Sequence, residues 1–418
     1  MLSRLMTNKV LILHTSANIG GAEYSLLEFL NNLKGYPIEI HIALSSQIKK
    51  LFEDRVDIPL YFHNINLCYF KKRQSLKSYL QYLVSLIQYN FKFLKIVKEF
   101  KINAVYCNTF RSLPYCFIVK FFSKTRVICH CRDNVPSKFV RDLIKQGCNQ
   151  TIAVSGYIKN QISPNTSAYL RHCESCEERS SRSKPEIKKW IASPQATRND
   201  DKEKKLRPIK IIYNGVNVSC FSDCKPTGWL RRELNLSQNI KLIGNIGQIV
   251  SWKNQTDFIL IAKELIKENA NLHFLLIGGS VDDKYFNSLK QQIDSFQLSS
   301  CFTLTGQVED IQKYLCELDI LIHTAIDEPF GRVIIEAGAA SKPVIAYDSG
   351  GVSEIIKNWE TGFLVSDGNI HQMVKCSGLL LDKQSLRKSM GSSAQKHIAV
   401  NFSSMDYARK VYNTLIYD

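Results

Sequence analysis

The chain has 418 residues, 44% of them apolar, and a formal net charge of +17. It is too long for one ordinary hydrophobic core and too apolar for a disordered tail, so two domains are expected. No apolar run reaches the roughly 18 residues a membrane-spanning helix needs, the N-terminus lacks the shape of a secretory leader, and the thirteen scattered cysteines suit reduced thiols better than a disulfide framework. A cytoplasmic protein is expected.

In chain order, the first apolar strand pattern is Val10–His14. It runs into Asn18-Ile19-Gly20-Gly21-Ala22-Glu23, a Gly-Gly turn that opens a helix. Such a turn lets backbone approach a ligand closely and aims helix N–H groups at negative charge. It does not have the spacing of the dinucleotide or P-loop fingerprints. A second strand pattern covers Ile38–Leu44. Tyr69–Lys101 then interleaves aromatic and aliphatic residues with eight Lys/Arg and a single acid, Glu99. Its apolar residues Tyr79, Leu83, Leu86, Tyr89 and Phe93 recur at helical spacing. The pattern fits a core-packed helix with a basic outer face, and equally a basic amphipathic surface on anionic lipid. Strand patterns follow at Ala104–Asn108, Arg126–His130 and Thr151–Val154. His130 ends its strand, which places it at the rim of any cleft outside the sheet.

Residues 165–208 break the rhythm. They are polar, charge-mixed and aperiodic until Lys210, and read as a mobile surface insertion, the alternative being a lid over an acceptor. His172-Cys173-Glu174-Ser175-Cys176 within them is a single Cys-x-x-Cys without the second half a zinc site needs. Strand patterns resume at Lys210–Tyr213, Lys241–Ile246, His273–Ile277, Phe302–Thr305, Ile320–His323, Pro343–Tyr347 and Gly362–Val365, with helical patterns between most of them. Two series of alternating strand and helix imply two doubly wound parallel sheets, residues 1–164 and 209–395, with 396–418 as a helix returning to the first. The net charge is +14 over residues 1–164, +4 over 165–208 and −1 over 209–418. A basic first domain beside a neutral second one points to an anionic surface or substrate on the first.

Chemistry concentrates in the second series. Gln248 and Lys253 follow a strand end, where a lysine can meet a diphosphate as a point charge. Glu328 sits in a Pro-Phe-Gly loop, and Glu336 follows it with seven residues between, about two turns into the following apolar helix. One carboxylate faces a ligand held at the helix start and the other reaches its polyhydroxyl part. There is no Asp-x-Asp of the kind that holds a divalent cation on a nucleotide diphosphate; Asp200-Asp201 and Asp282-Asp283 are adjacent pairs in polar surroundings.

Together these motifs resemble the family-4 glycosyltransferases, which are retaining and nucleotide-sugar-dependent and have the GT-B fold, two Rossmann-like domains facing across a cleft. The resemblance runs through Gly20-Gly21-Ala22-Glu23, His130, Ile152-Ala153-Val154-Ser155, Tyr213-Asn214-Gly215-Val216, Lys253, Gly278-Gly279, Gly306-Gln307-Val308, Glu328-x7-Glu336 and Gly350-Gly351-Val352-Ser353-Glu354. It implies that Glu336 holds the ribose hydroxyls and that Glu328 contacts the donor sugar at its anomeric centre. It also implies that backbone N–H groups of Phe330 and Gly331 hold sugar hydroxyls or diphosphate, and that Lys253 offsets the departing charge. Val308 reads the base edge, His130 binds the sugar or a phosphate oxygen, and Gly20 and Gly21 leave room for acceptor and diphosphate. Gln248 departs from the arginine common in the family, and Arg332 is the nearest substitute cation.

The implied function is metal-independent transfer from a UDP- or GDP-sugar to a glycan acceptor, lipid-linked, in surface polysaccharide or glycolipid synthesis. The place of action is the cytoplasm, peripheral at the membrane face. A nucleotide-sugar epimerase of the same fold, or a non-catalytic glycan- or nucleotide-binding module, is the alternative. Nucleic acid is not an expected partner, because no recognised module accompanies the basic charge.

Overall fold

The computed structural model describes residues 7–16, 19–63, 76–164, 208–221 and 223–417. The 172–176 segment, Asp200-Asp201, Asn18 and the lysines and arginine at 71–73 lie outside them. Two all-parallel sheets carry helices on both faces. The first has the order β3-β2-β1-β4-β5-β6-β7, and the second β10-β9-β8-β11-β12-β13. The strands of the first are β1 (Asn8–Leu13), β2 (Ile38–Ala43), β3 (Leu60–Phe62), β4 (Ala104–Cys107), β5 (Arg126–Cys131), β6 (Gln150–Ala153) and β7 (Lys210–Ile211). Those of the second are β8 (Lys241–Ile246), β9 (Leu272–Ile277), β10 (Phe302–Gly306), β11 (Ile320–His323), β12 (Val344–Tyr347) and β13 (Gly362–Val365). Central strands such as β4, β9 and β12 are buried along their whole length. They therefore read as nearly continuous apolar runs, broken only by His273 in β9, rather than alternating ones. The two-domain, doubly wound α/β expectation holds.

Three boundaries differ from the sequence reading. Lys210–Ile211 pairs with β6, so it closes the first sheet and does not open the second. The Gln384–Asn401 helix packs on the Arg332–Ala339 helix of the second domain, and only Ser404–Ile416 returns to the first, against Gly21–Asn31 and β4. β3 was not expected: it is three residues long, with no period to detect. The thiol expectation holds for eight of the described cysteines, which are free, and is corrected at one pair, Cys224 and Cys316, whose disulfide ties the chain after the first sheet to the Ile311–Glu317 helix.

The chain crosses between domains twice, and the crossings touch. Val216 N donates to Phe402 O (2.9 Å) and Ser404 N to Val216 O (3.0 Å). Gly215 lies so close to the second crossing that a Cβ there would stand 2.6 Å from Ser404 Cα. This explains the glycine of Tyr213-Asn214-Gly215-Val216: it permits backbone-to-backbone contact at the hinge.

Candidate active site

In doubly wound sheets ligands bind beyond the carboxyl ends of the strands, at the point where strand order reverses. Both sheets present that edge to one interdomain cleft of about 840 Å³. One wall is made by Ile19, Gly20, Gly21, Thr109, Arg132 and Asp133, the other by Gln248, Lys253, Val308, Glu328, Phe330, Gly331, Arg332 and Glu336. Every sequence-proposed site residue except His130 lines this cleft.

Glu328 is held by its neighbours on all sides. Gly351 N donates to Glu328 O (2.7 Å). A Cβ on Gly350, whose φ is +70°, would lie 2.1 Å from that same carbonyl. The Gly350-Gly351 turn is therefore a cradle for the Glu328 loop. The side chain is 6% exposed and accepts from Lys253 Nζ (2.5 Å) and His323 Nε2 (3.2 Å). Burial opposes its ionisation, but the lysine charge and the histidine hydrogen bond outweigh burial and hold it at about 2. Burial lowers the His323 pKa, so the ring is neutral and donates. His323 was missed in the sequence, although it is the last residue of β11, the strand leading into the Glu328 loop.

Glu336 lies one turn into its helix, not two, because the helix begins at Arg332. That spacing makes Arg332 and Glu336 an i,i+4 pair, with Nε to Oε1 at 2.7 Å. Burial raises the Glu336 pKa against the pull of Arg332. Arg332 also crosses the cleft, with Nη2 3.6 Å from Glu28, Nη1 3.4 Å from Ser25 Oγ, and the guanidinium over the Tyr24 ring. Gln248 Nε2 reaches Ile19 O at 3.4 Å from the same side. The cleft cations of the second domain are thus Lys253, paired with Glu328, and Arg332, paired with Glu336.

The opposite edge of the interface is joined by two motifs to which the sequence assigned no role. Glu354 accepts from Gly156 N (2.7 Å) and Tyr157 N (2.8 Å), an acidic cap from one domain on a helix start of the other. Ser155 Oγ donates to Pro329 O (2.6 Å), and Tyr157 OH to Asp327 Oδ1 (2.9 Å).

His130 requires a correction. It is fully buried within β5, and Tyr106 OH lies 2.7 Å from its Nδ1. Burial, with Arg132 nearby, lowers its pKa well below the ordinary histidine value. The strand runs one residue past His130, so the residue that reaches the cleft is Arg132. Gly21 faces open space, since a Cβ there would meet no atom within 4 Å, whereas a Cβ on Gly20 would lie 3.5 Å from Gln248 Nε2 across the cleft and 3.5 Å from Glu23 Oε2. Phe330 is buried against Tyr213, with ring centroids 5.9 Å apart. Among the described residues no group of three His, Cys, Asp or Glu is placed to hold a metal ion.

Residues 229–397 match the family described as glycosyl transferases group 1. Over 212 residues the chain is 24% identical to the N-acetyl-alpha-D-glucosaminyl L-malate synthase of Bacillus anthracis, covering 51% of this chain and 54% of that protein. It is 27% identical over 183 residues to the capsular polysaccharide biosynthesis glycosyltransferase CapM of Staphylococcus aureus, covering 42% and 46%. The chain thus spans about half the length of the curated relatives it matches. Among solved structures, Anabaena Alr3699/HepE in complex with UDP and glucose superposes with a TM-score of 0.74 at 21% identity, over 98% of this chain and 99% of that one. Residues 229–397 thus match the group 1 glycosyl transferase family over about two fifths of the chain, and the whole chain has the GT-B fold of the solved structures it superposes on.

Proposed function

We propose that the protein is a retaining glycosyltransferase. It moves a hexosyl or N-acetylhexosaminyl group from a UDP- or GDP-sugar to a hydroxyl of a glycan acceptor, lipid-linked, in surface polysaccharide or glycolipid synthesis. The observation that carries this reading is the convergence of Glu328, Lys253, Arg332 and Glu336 on one cleft wall, with the Gly20-Gly21 turn, open at Gly21, on the other. The activities in the relatives' names and the UDP bound by HepE support a nucleotide-sugar donor.

In this reading Glu336 exchanges its bond to Arg332 for the ribose hydroxyls, which frees Arg332 toward the diphosphate and makes good the charge missing at Gln248. As the anomeric C–O bond breaks, Lys253 and Arg332 offset the charge on the leaving diphosphate without a metal. The Glu328 carboxylate offsets the positive charge on the sugar. The acceptor hydroxyl attacks from the face the diphosphate leaves and passes its proton to the departing phosphate oxygen, which preserves configuration. Val308 and the backbone of Phe330 and Gly331 orient the base and the sugar. Closure of the domains excludes water.

The membrane part rests on the Leu76–Glu99 helix. Its Leu86, Tyr89 and Phe93 pack on the core, so the periodicity noted in the sequence is a buried face. A second stripe, Leu80, Val84, Ile87 and Phe91, is 54–59% exposed, with Phe121 and Phe122 exposed on the neighbouring Phe117–Phe122 helix. The stripe continues as exposed Lys95 and Lys98. An apolar stripe that turns basic fits an anionic lipid surface. The helix joins parallel β3 to β4, so its apolar end lies at the cleft end of the sheet, where a lipid-linked acceptor would arrive.

The test is nucleotide-sugar turnover with UDP- and GDP-sugars, following the anomeric configuration of the product by proton NMR. Retention, loss of about a hundredfold or more in rate with Glu328→Ala, and an unchanged rate with chelator are expected. An inverted product, or full activity in Glu328→Ala, contradicts the assignment.

A further inference from the structure

The first domain has a polar constellation of its own, which the donor chemistry does not use. β1, β4 and β5 are neighbours in the sheet, and each is followed directly by a buried polar residue: His14, Asn108 and Arg132. The hydrogen bonds fix where the protons lie. Arg132 Nε donates to Asn108 Oδ1 (3.0 Å), so the Asn108 amide nitrogen faces His14 Nδ1 (3.1 Å) and Ala22 O (3.2 Å). His14 Nδ1 is therefore an acceptor, and the ring gives its Nε2 proton to Glu23 Oε1 (2.6 Å). Glu23 spends its other oxygen on Gly20 N (2.7 Å).

Arg132 is left without a counter-ion. Three of its other four N–H groups go to Asn214 Oδ1, Tyr106 OH and Tyr407 OH, all neutral groups, which leaves one on Nη1. Among the described residues no carboxylate lies within ion-pair distance of it, although it is only 6% exposed. A buried cation without an anion is costly unless a ligand supplies one. Thr109, 4% exposed and on the same cleft wall, has a hydroxyl without a hydrogen-bond partner among the described residues. An unpaired cation and an unpaired hydroxyl thus share the strand-reversal edge of the first sheet.

We propose that this edge is an anion subsite for the acceptor, in which Arg132 and Thr109 hold a phosphate or carboxylate group that the acceptor carries. The proposal rests on the transferase reading above and adds the chemical class of the acceptor. Arg132 also touches both interdomain crossings, Asn214 on the first and Tyr407 beyond the second. An anion drawing on its guanidinium therefore acts at the hinge, which links acceptor arrival to domain closure.

The experiment titrates the full chain with inorganic phosphate and, separately, with malonate, each alone and with saturating UDP, and follows thermal stability and calorimetric heat. Saturable binding that persists with UDP present is expected. It should weaken at least about tenfold in Arg132→Gln and severalfold in Thr109→Val, with UDP affinity within about twofold of wild type in both. A preference for phosphate or for malonate identifies the acceptor group. Displacement of both anions by UDP, equal anion binding in Thr109→Val, or a large loss of UDP affinity in Arg132→Gln overturns the proposal. Thr109→Val keeps the side-chain shape and remains informative if Arg132→Gln fails to fold. Failure of UDP to bind at all counts against the donor reading; UDP binding without anion binding counts against this subsite alone.

Discussion

At the residue scale the site is defined by which charges are already paired. Glu328 is ionised because Lys253 and His323 outweigh its burial, and its folded-state pKa of about 2 lies below the ordinary carboxylate value. A depressed carboxylate pKa contributes stability that is present above the unfolded value and lost as pH falls through the folded one. The stability gap between wild type and Glu328→Gln in urea unfolding should be open at pH 7, by roughly 2–3 kcal/mol, and should close as pH falls from about 5 to 2. A gap independent of pH would mean that the carboxylate charge is not what the loop holds. Lys253→Ala leaves a buried carboxylate with only a neutral histidine, and should destabilise by about 3 kcal/mol while moving the acid-unfolding limb to higher pH.

Elements decide where those residues point. The Gly350-Gly351 turn exists to seat the Glu328 carbonyl, so Gly350→Ala, with a positive φ and a Cβ 2.1 Å from that oxygen, should displace the loop. The expected cost is about 1–3 kcal/mol of stability together with a loss of nucleotide-sugar affinity. Unchanged affinity would show that the turn is dispensable. The Leu76–Glu99 helix has one apolar face too many for a soluble crossover. Flotation on vesicles rich in anionic lipid should fail in the Val84→Glu/Ile87→Glu/Phe91→Glu variant and weaken with salt in wild type. Flotation indifferent to both would leave the stripe without a lipid partner.

The whole molecule was legible in the sequence where physics is local, and less so where it is not. Among the described residues, twelve of the thirteen strands announced themselves as apolar runs, because parallel strands covered on both faces cannot hide their composition. β3 was too short to show a period. β7 was legible as a strand but not as a member of the first sheet, since pairing with β6 is a long-range fact. Glu328 and Lys253 could be placed in the cleft because each lies in the turn that follows a strand end, and Glu336 because it sits in the first turns of the helix after the Glu328 loop. His130 was misplaced by a strand one residue longer than its apolar run, which makes Arg132 the side chain that lines the cleft. His323 and the disulfide Cys224–Cys316 depend on contacts that composition and spacing do not encode. The interdomain joints, Glu354 on the Gly156–Ile162 helix and Ser155 on Pro329, account for two motifs to which the sequence assigned no role.

The central claim is that the cleft between the two sheets is a nucleotide-sugar donor site organised by the glutamate pair. Calorimetric titration of the full chain with UDP-, GDP- and ADP-sugars, repeated on Glu336→Ala, tests it most directly. The account predicts that a UDP- or GDP-sugar binds saturably and that Glu336→Ala, which removes the ribose acceptor, weakens it at least about tenfold. Binding of none of them, or equal affinity in Glu336→Ala, would contradict it.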